Sequence, residues 1–267
     1  MKRIRLRIRQ GEAPPYSYKI AIPNWEELEQ KDFIAITPMI SARKTLARQI
    51  GVIGHFSSSK AVAALELMIK TAEKSEDEDL AMKTLGELEA IAKLSDHFWK
   101  PLPIDKALVC PIKTVKIGRK RFFAPRKDML DISLGEWAIM SQILADAQPD
   151  YSLFISIFYR PKGDKRAKNE IHRHREAFDL SKCENRSKIK WPKEALFAAL
   201  KYMEAAGKLI PMLFPKIFQE NGQSTSWRKL EYTITKTAVF GNDIQDVRRN
   251  SALLDVLTFL EEEQDND

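Results

Sequence analysis

The sequence predicts an α+β protein dominated by helices: an N-terminal β-hairpin, a second central β-hairpin and a C-terminal helical bundle. Three observations carry this. Apolar residues alternate at period two near the N-terminus, as half-buried strands do, and Val109, Ile112, Val115 and Ile117 lie in a second run, 107–117, that reads as extended. Elsewhere they recur at helical spacing behind Asn, Ser or Asp residues able to cap a first turn. Glycine is scarce, 10 of 267 residues, which argues against a Gly-rich β architecture.

Arg3 to Arg9 alternate with Ile4, Leu6 and Ile8, so the arginines face out and the apolar residues face a core. Gly11 to Pro15 form a turn, and Tyr16 to Ile22 form the returning strand. Asn24-Trp25-Glu26-Glu27 resembles a capping box and predicts a helix from Trp25 to Thr37, ended by Pro38. Further helices follow over 42–52, 59–72 and 77–98, the last with Leu80, Leu85, Leu88, Ile91 and Leu94 near helical spacing. Pro101 and Pro103 break the chain and divide an N-terminal region, 1–99, from a second region, 104–267.

Residues 107–117 read as extended, Gly118-Arg119 as a turn and Lys120 to Ala124 as a return strand. Ser133-Leu134-Gly135-Glu136 opens a helix to about Ala145, and Pro149-Asp150 opens another that ends before Pro161. Residues 162–190 form a basic, polar connector. Pro192 starts an Ala-rich helix that Gly207 caps, and Pro211 and Pro215 limit regular structure beyond it. Ser226 to Ala238 reads as helix, with Thr233, Thr235 and Thr237 leaving a strand open. A final helix runs from Asp243 to Glu262 into an acidic tail.

Charged residues make up 30% of the chain and the net charge is +7, which favours acidic partners. A solvated basic surface would give the same balance. The two cysteines, Cys110 and Cys183, lie far apart with no CxxC, so free thiols and a reducing compartment are expected. The N-terminus lacks the apolar run of a signal peptide, and no segment approaches the roughly 18 apolar residues of a membrane span. The expected location is the cytoplasm, with no membrane partner.

No nucleophile elbow, phosphate-binding glycine loop, dinucleotide fingerprint or HExxH motif is present. His172 and His174, with Cys183 as a third donor, are the nearest approach to a metal motif, but their spacing matches no zinc module. The sequence therefore assigns no catalytic residue, no metal site and no cofactor. It offers basic clusters instead: Arg3, Arg5, Arg7 and Arg9; then Arg119, Lys120 and Arg121 with Lys116, Arg126 and Lys127 around Phe122 and Phe123; then the connector with Lys162, Lys165, Arg166, Lys168, Arg173, Arg175, Lys182, Arg186, Lys188 and Lys190. Guanidinium clusters neutralise phosphates and aromatics stack on bases, although Phe122 and Phe123 suit a hairpin core better. Phe154, Ile155, Phe158 and Tyr159, and Leu253 to Leu260, form apolar surfaces that serve either as core or as a groove for a partner helix.

Tyr18 to Leu28, Leu134-Gly135-Glu136-Trp137, Ile157-Phe158-Tyr159-Arg160-Pro161, the Ala-rich helix, Trp227 and Leu257 to Glu261 resemble a set of proteins of phages that infect Bacteroidetes-type bacteria. Those proteins are assigned to tail assembly and are similar in role to chaperones of the tape-measure protein. The resemblance implies a non-enzymatic assembly protein in the host cytoplasm with a tape-measure or other tail protein as partner. Phe158, Tyr159, Arg160, Lys162, Lys165 and Arg166 are the expected partner contacts. The alternatives are a basic nucleic-acid-binding protein, with Arg3, Arg5, Arg7, Arg9, Arg119, Lys120 and Arg121 as contacts, or a permanent connector or tail component of the virion. Stoichiometry is not legible in the sequence.

Overall fold

Both expected hairpins form as antiparallel strand pairs, and the chain is otherwise mainly helical. The computed structural model describes residues 2–8, 16–104, 107–219, 234–236, 239–240 and 243–263, with side chains described except at 2–8, 16–19 and 219. It divides into two compact units, Met1–Pro101 and Leu102–Asp267. Among the described residues no helix is long and apolar enough to cross a membrane.

In the first unit, β1 (Lys2–Ile8) pairs with β2 (Tyr16–Ile22), Lys2 opposite Ile22 and Ile8 opposite Tyr16. Four helices follow: α1 (Gln30–Ile40), α2 (Leu46–His55), α3 (Ser59–Lys74) and α4 (Glu78–Ala92), with a 3₁₀ segment over Lys93–Trp99. Thr45, Ser58 and Asp77 cap α2, α3 and α4 by accepting from the N–H groups of Arg48, Ala61 and Leu80. Ile20, Ile22, Phe33, Ile36, Val52, Ile53, Leu65 and Phe98 form the core.

The helix expected at Trp25 begins five residues later. Glu27 does reach back to the Asn24 N–H (3.1 Å), but this closes an isolated turn. Trp25 is held elsewhere: its indole N–H donates to the His97 carbonyl (3.0 Å) and its ring meets Phe98 edge-on. Pro38 does not end α1 but lies inside it. Near the C-terminus it forfeits a single backbone bond, while Phe33, Ile36 and Ile40 are buried. α2 starts at Leu46 rather than at Ala42, because its cap is Thr45. Leu80, placed on the apolar stripe of α4, is exposed, whereas Leu88 and Ile91 are buried.

In the second unit, β3 (Thr114–Ile117) and β4 (Lys120–Phe123) form the central hairpin. Gly118 takes φ +58° at its tip, which a residue with a Cβ adopts only with strain. β5 (Arg160–Pro161) adds to β4, so the sheet has a third strand that the sequence did not announce. The extended reading fails before Thr114. Pro111 has no donor, and the Leu108 N–H turns away to the Asp128 carboxylate (2.7 Å).

α5 (Leu134–Ala145) has both halves of its capping box, Ser133 accepting from the Glu136 N–H and Glu136 accepting from the Ser133 N–H. Asp150 caps α6 (Tyr151–Phe158), and Asp179 caps α8 (Leu180–Ser187). The 162–190 connector thus holds α8 and the short α7 (Ile171–His174) rather than plain loop. α9 (Lys193–Leu213) runs through Gly207 and Pro211, because Ile210 beyond the expected stop is buried. Pro215 then opens α10 (Pro215–Gln219), since its missing N–H is redundant in a first turn. Most of the 226–238 helix falls outside the described residues; Ile234 to Lys236 are helical and Ile234 is buried. The single final helix is instead two, α11 (Ile244–Asn250) and α12 (Leu253–Glu263). The break is made by pairing: the Leu134 N–H donates to the Ser251 carbonyl (3.0 Å) and the Leu253 N–H to the Ile132 carbonyl (2.9 Å). The acidic tail beyond Glu263 lies outside the described residues.

Candidate functional site

Among its described residues the second unit buries four charges. Glu136, on the first turn of α5, pairs through Oε2 with Arg160 Nη2 (2.9 Å) and through Oε1 with Arg175 Nη2 (3.0 Å). Arg175 also donates through Nε to Asp131 (3.2 Å) and to the carbonyls of Phe158 and Asp131 (2.9 Å each). All four side chains are at most 2% exposed. Burial pulls Arg160 down to about 10. Burial also pulls on Arg175, but Glu136 and Asp131 more than offset it and hold the guanidinium above its ordinary value. Arg160 makes less of its position, since its Nε and Nη1 meet no hydrogen-bond partner among the described residues.

Arg175 fixes one end of a loop. Lys162 and Arg175 form an antiparallel bridge, the Gly163 N–H donates to the His174 carbonyl (3.2 Å), and the Glu176 N–H donates to the Pro161 carbonyl (2.8 Å). Residues 163–174 therefore leave and return at one point. Gly163 is required there, because a Cβ would collide with the carbonyl oxygens of His172 and Arg175. The far side of the loop is fastened to the end of α11: Asn169 Nδ2 donates to the Asn250 carbonyl (2.6 Å) and His172 Nε2 to the Arg249 carbonyl (3.0 Å).

Facing the loop is the strand-to-helix segment after β4. Asp128 and Met129 take φ +56° and +61°, two consecutive non-glycine residues in the left-handed region. They are held by the Asp128–Leu108 contacts and by the Met129 N–H donating to Tyr202 Oη (3.1 Å). Backbone strain of this kind persists only where the surroundings impose it.

Between these walls lies a groove of about 890 Å³. Val109, Phe123, Ala124 and Pro125 give it an apolar floor, which Asp131 and Arg175 reach as a neutralised pair. Its rim carries Lys113, Arg126 and Lys127 on one side and Lys162, Lys165 and Arg173 on the other. All six cations are exposed. Glu170 is the exposed acid in the lining and stands 3.9 Å from Arg173. Arg126 Nη1 donates to His174 Nε2 (2.8 Å), which assigns that imidazole as the acceptor and holds the guanidinium at the rim.

The sequence-predicted contacts divide. Phe158, Tyr159 and Arg160 are fully buried, so they form core, not surface. Lys162 and Lys165 line the groove; Arg166 is exposed on the same loop but outside the lining. Arg119, Lys120 and Arg121 are exposed on the hairpin. Arg121 pairs with Lys116 and Phe123 with Thr114, so these four share one face and carry the basic track beyond the groove. The side chains of Arg3, Arg5 and Arg7, and all of Arg9, lie outside the described residues. Phe122 is core, as expected, packed on Trp191, but Phe123 lines the groove. Strand alternation forbids both from facing the same way. Lys113 carried no sequence signal, and Val109 was read only as part of an extended run that is irregular there.

The candidate metal donors separate. His172 bonds a backbone carbonyl, His174 bonds Arg126, and Cys183 is buried with its sulfur 3.2 Å from Arg186. Among the described residues no group of three or more His, Cys, Asp or Glu side chains lies where it could share an ion. The other two imidazoles also have structural contacts: His55 with Asp32 (3.1 Å), His97 with the Pro23 carbonyl (3.0 Å). Compared with known proteins, the chain matches no family model, no curated protein and no solved structure.

Proposed function

We propose that this chain is a non-catalytic binding protein that takes the backbone of a nucleic acid in the basic groove of its second unit. One observation carries the reading: cations from two separate basic stretches of sequence, 113–127 and 162–173, converge on the same groove, whose lining has Glu170 as its one exposed carboxylate, while Asp164 on the same loop is exposed outside the lining. A general solvated surface would intersperse the two signs. Phosphates engaged at such a rim release counterions, which supports affinity without base readout.

Fluorescence anisotropy with labelled nucleic acid at low salt tests this. The wild type binds, and Lys162→Glu with Lys165→Glu weakens binding by about tenfold or more, because two attractions become repulsions. No binding at about 50 mM salt, or binding indifferent to the charge reversal, refutes the reading. Stronger competition by polyglutamate than by nucleic acid would reassign the groove to an acidic protein.

A second reading, the tail-assembly chaperone drawn from the resemblance, draws support from the first unit, where Leu67, Leu80 and Met82 are exposed on α3 and α4. Isolated exposed apolar residues are common, and the apolar stripes of α6 and α12 are buried, so this support is the smaller. Co-expression with a tape-measure fragment tests it: the fragment should become more soluble and co-elute on gel filtration, and neither occurring counts against the chaperone.

A further inference from the structure

We infer that the groove is a single-strand site, in which an unpaired base lies against Phe123 while its flanking phosphates meet the rim. This rests on the nucleic-acid reading and narrows its substrate class. The floor is apolar, formed by Val109, Phe123, Ala124 and Pro125, and Val109 is 38% exposed although it is a large aliphatic residue. A duplex presents phosphates on its outside and keeps the faces of its bases stacked on one another, so it would use the rim and leave this floor uncovered. A single strand has free base faces, and an aromatic ring between flanking cations is the arrangement that accepts them without regard to sequence.

The hairpin extends the argument beyond the cavity. Thr114 and Phe123 share a face with Lys116 and Arg121, the next pair along the strands on that face. That pair lies two residues, about 6.6 Å, along the strand from the Phe123 position. A strand leaving the groove therefore runs over Lys116 and Arg121, both exposed. At the other end Arg126 is held in place by His174, so one guanidinium is already oriented before any ligand arrives. Asp131 and Arg175, deeper in the floor, neutralise one another and neither attract nor repel the base.

The experiment compares a labelled oligothymidine of about 20 nucleotides with a duplex of equal length, using the full chain. The wild type should bind the single strand about tenfold tighter, the scale of one base–aromatic stack. Phe123→Leu, which keeps the apolar volume but removes the ring, should lose about that factor on the single strand and leave duplex binding unchanged. Phe123→Trp should retain the preference, which shows that the ring, and not the fold around it, is being read; circular dichroism of each variant checks the fold. Lys116→Glu with Arg121→Glu should weaken the single strand further. Equal affinity for the two forms, or a Phe123→Leu protein that still prefers single strands, overturns the inference while leaving a charge-driven groove intact. No binding of either form overturns the nucleic-acid reading itself.

Discussion

At Glu136 one carboxylate holds two guanidinium groups and also closes a helix cap. Its removal leaves two buried cations facing Asp131 alone, and breaking a buried ion pair costs about 3–5 kcal/mol. Glu136→Gln should therefore destabilise the second unit by that order in urea denaturation. Arg160→Met should cost clearly less, because Arg160 makes fewer bonds and is already pulled down to about 10 by burial. Equal losses would show that the cluster does not turn on Glu136. Cys110 gives a pH dependence. Burial pushes its thiol up from 9.0 to about 12. Below 9 the thiol is protonated in both folded and unfolded chains and its packing stabilises the fold fully. Between about 9 and 12 only the unfolded chain ionises, so stability falls as pH rises. The melting temperature should drop from pH 8 to pH 10, and drop less in Cys110→Ala. Native Cys110 and Cys183, both buried, should also react with a thiol reagent only after denaturant is added.

At the scale of elements, two glycines predict opposite outcomes. Gly207 is exposed, lies inside α9, and a Cβ there would meet nothing within 4 Å. Gly207→Ala should stabilise the protein by about 0.5–1 kcal/mol, read as a raised denaturation midpoint. Gly163→Ala should instead dislodge the 163–174 loop. Nucleic-acid affinity should fall with it, and amide exchange should quicken from Asp164 to His174. The caps and the hairpins were legible in the sequence because each is a local pattern: Ser133 with Glu136, Asp150 before α6, Gly118 at a turn. The errors fell where distant contacts overrode such patterns. Trp25 was drawn to His97, Ile210 carried α9 past Gly207 and Pro211, and strand-like pairing with residues 132–134 split the final helix.

At the scale of the whole molecule, the binding reading makes a salt prediction. If about four of the six rim cations each neutralise a phosphate, log affinity for a single strand should fall against log salt with a slope of about −3. A slope near zero would mean that the cations are bystanders. The candidate site was half legible. Lys162, Lys165 and the hairpin basics stood out as charge runs, but nothing in one dimension said that they face each other. Phe158, Tyr159 and Arg160 were misjudged for a related reason: an apolar helix followed by an arginine reads equally as a surface or as a core with a buried counterion, and only Glu136, more than twenty positions earlier, decides between them.

The anchoring of the 163–174 loop to the carbonyls of Arg249 and Asn250 has a bearing on biosynthesis. The lysines emerge from the ribosome long before Arg249 and Asn250, so a nascent chain displays the charge before the far side of the loop is fastened. On the nucleic-acid reading, recognition would wait until Arg249 and Asn250 have left the ribosome, and a product truncated ahead of α11 would carry the charge without the fastened loop.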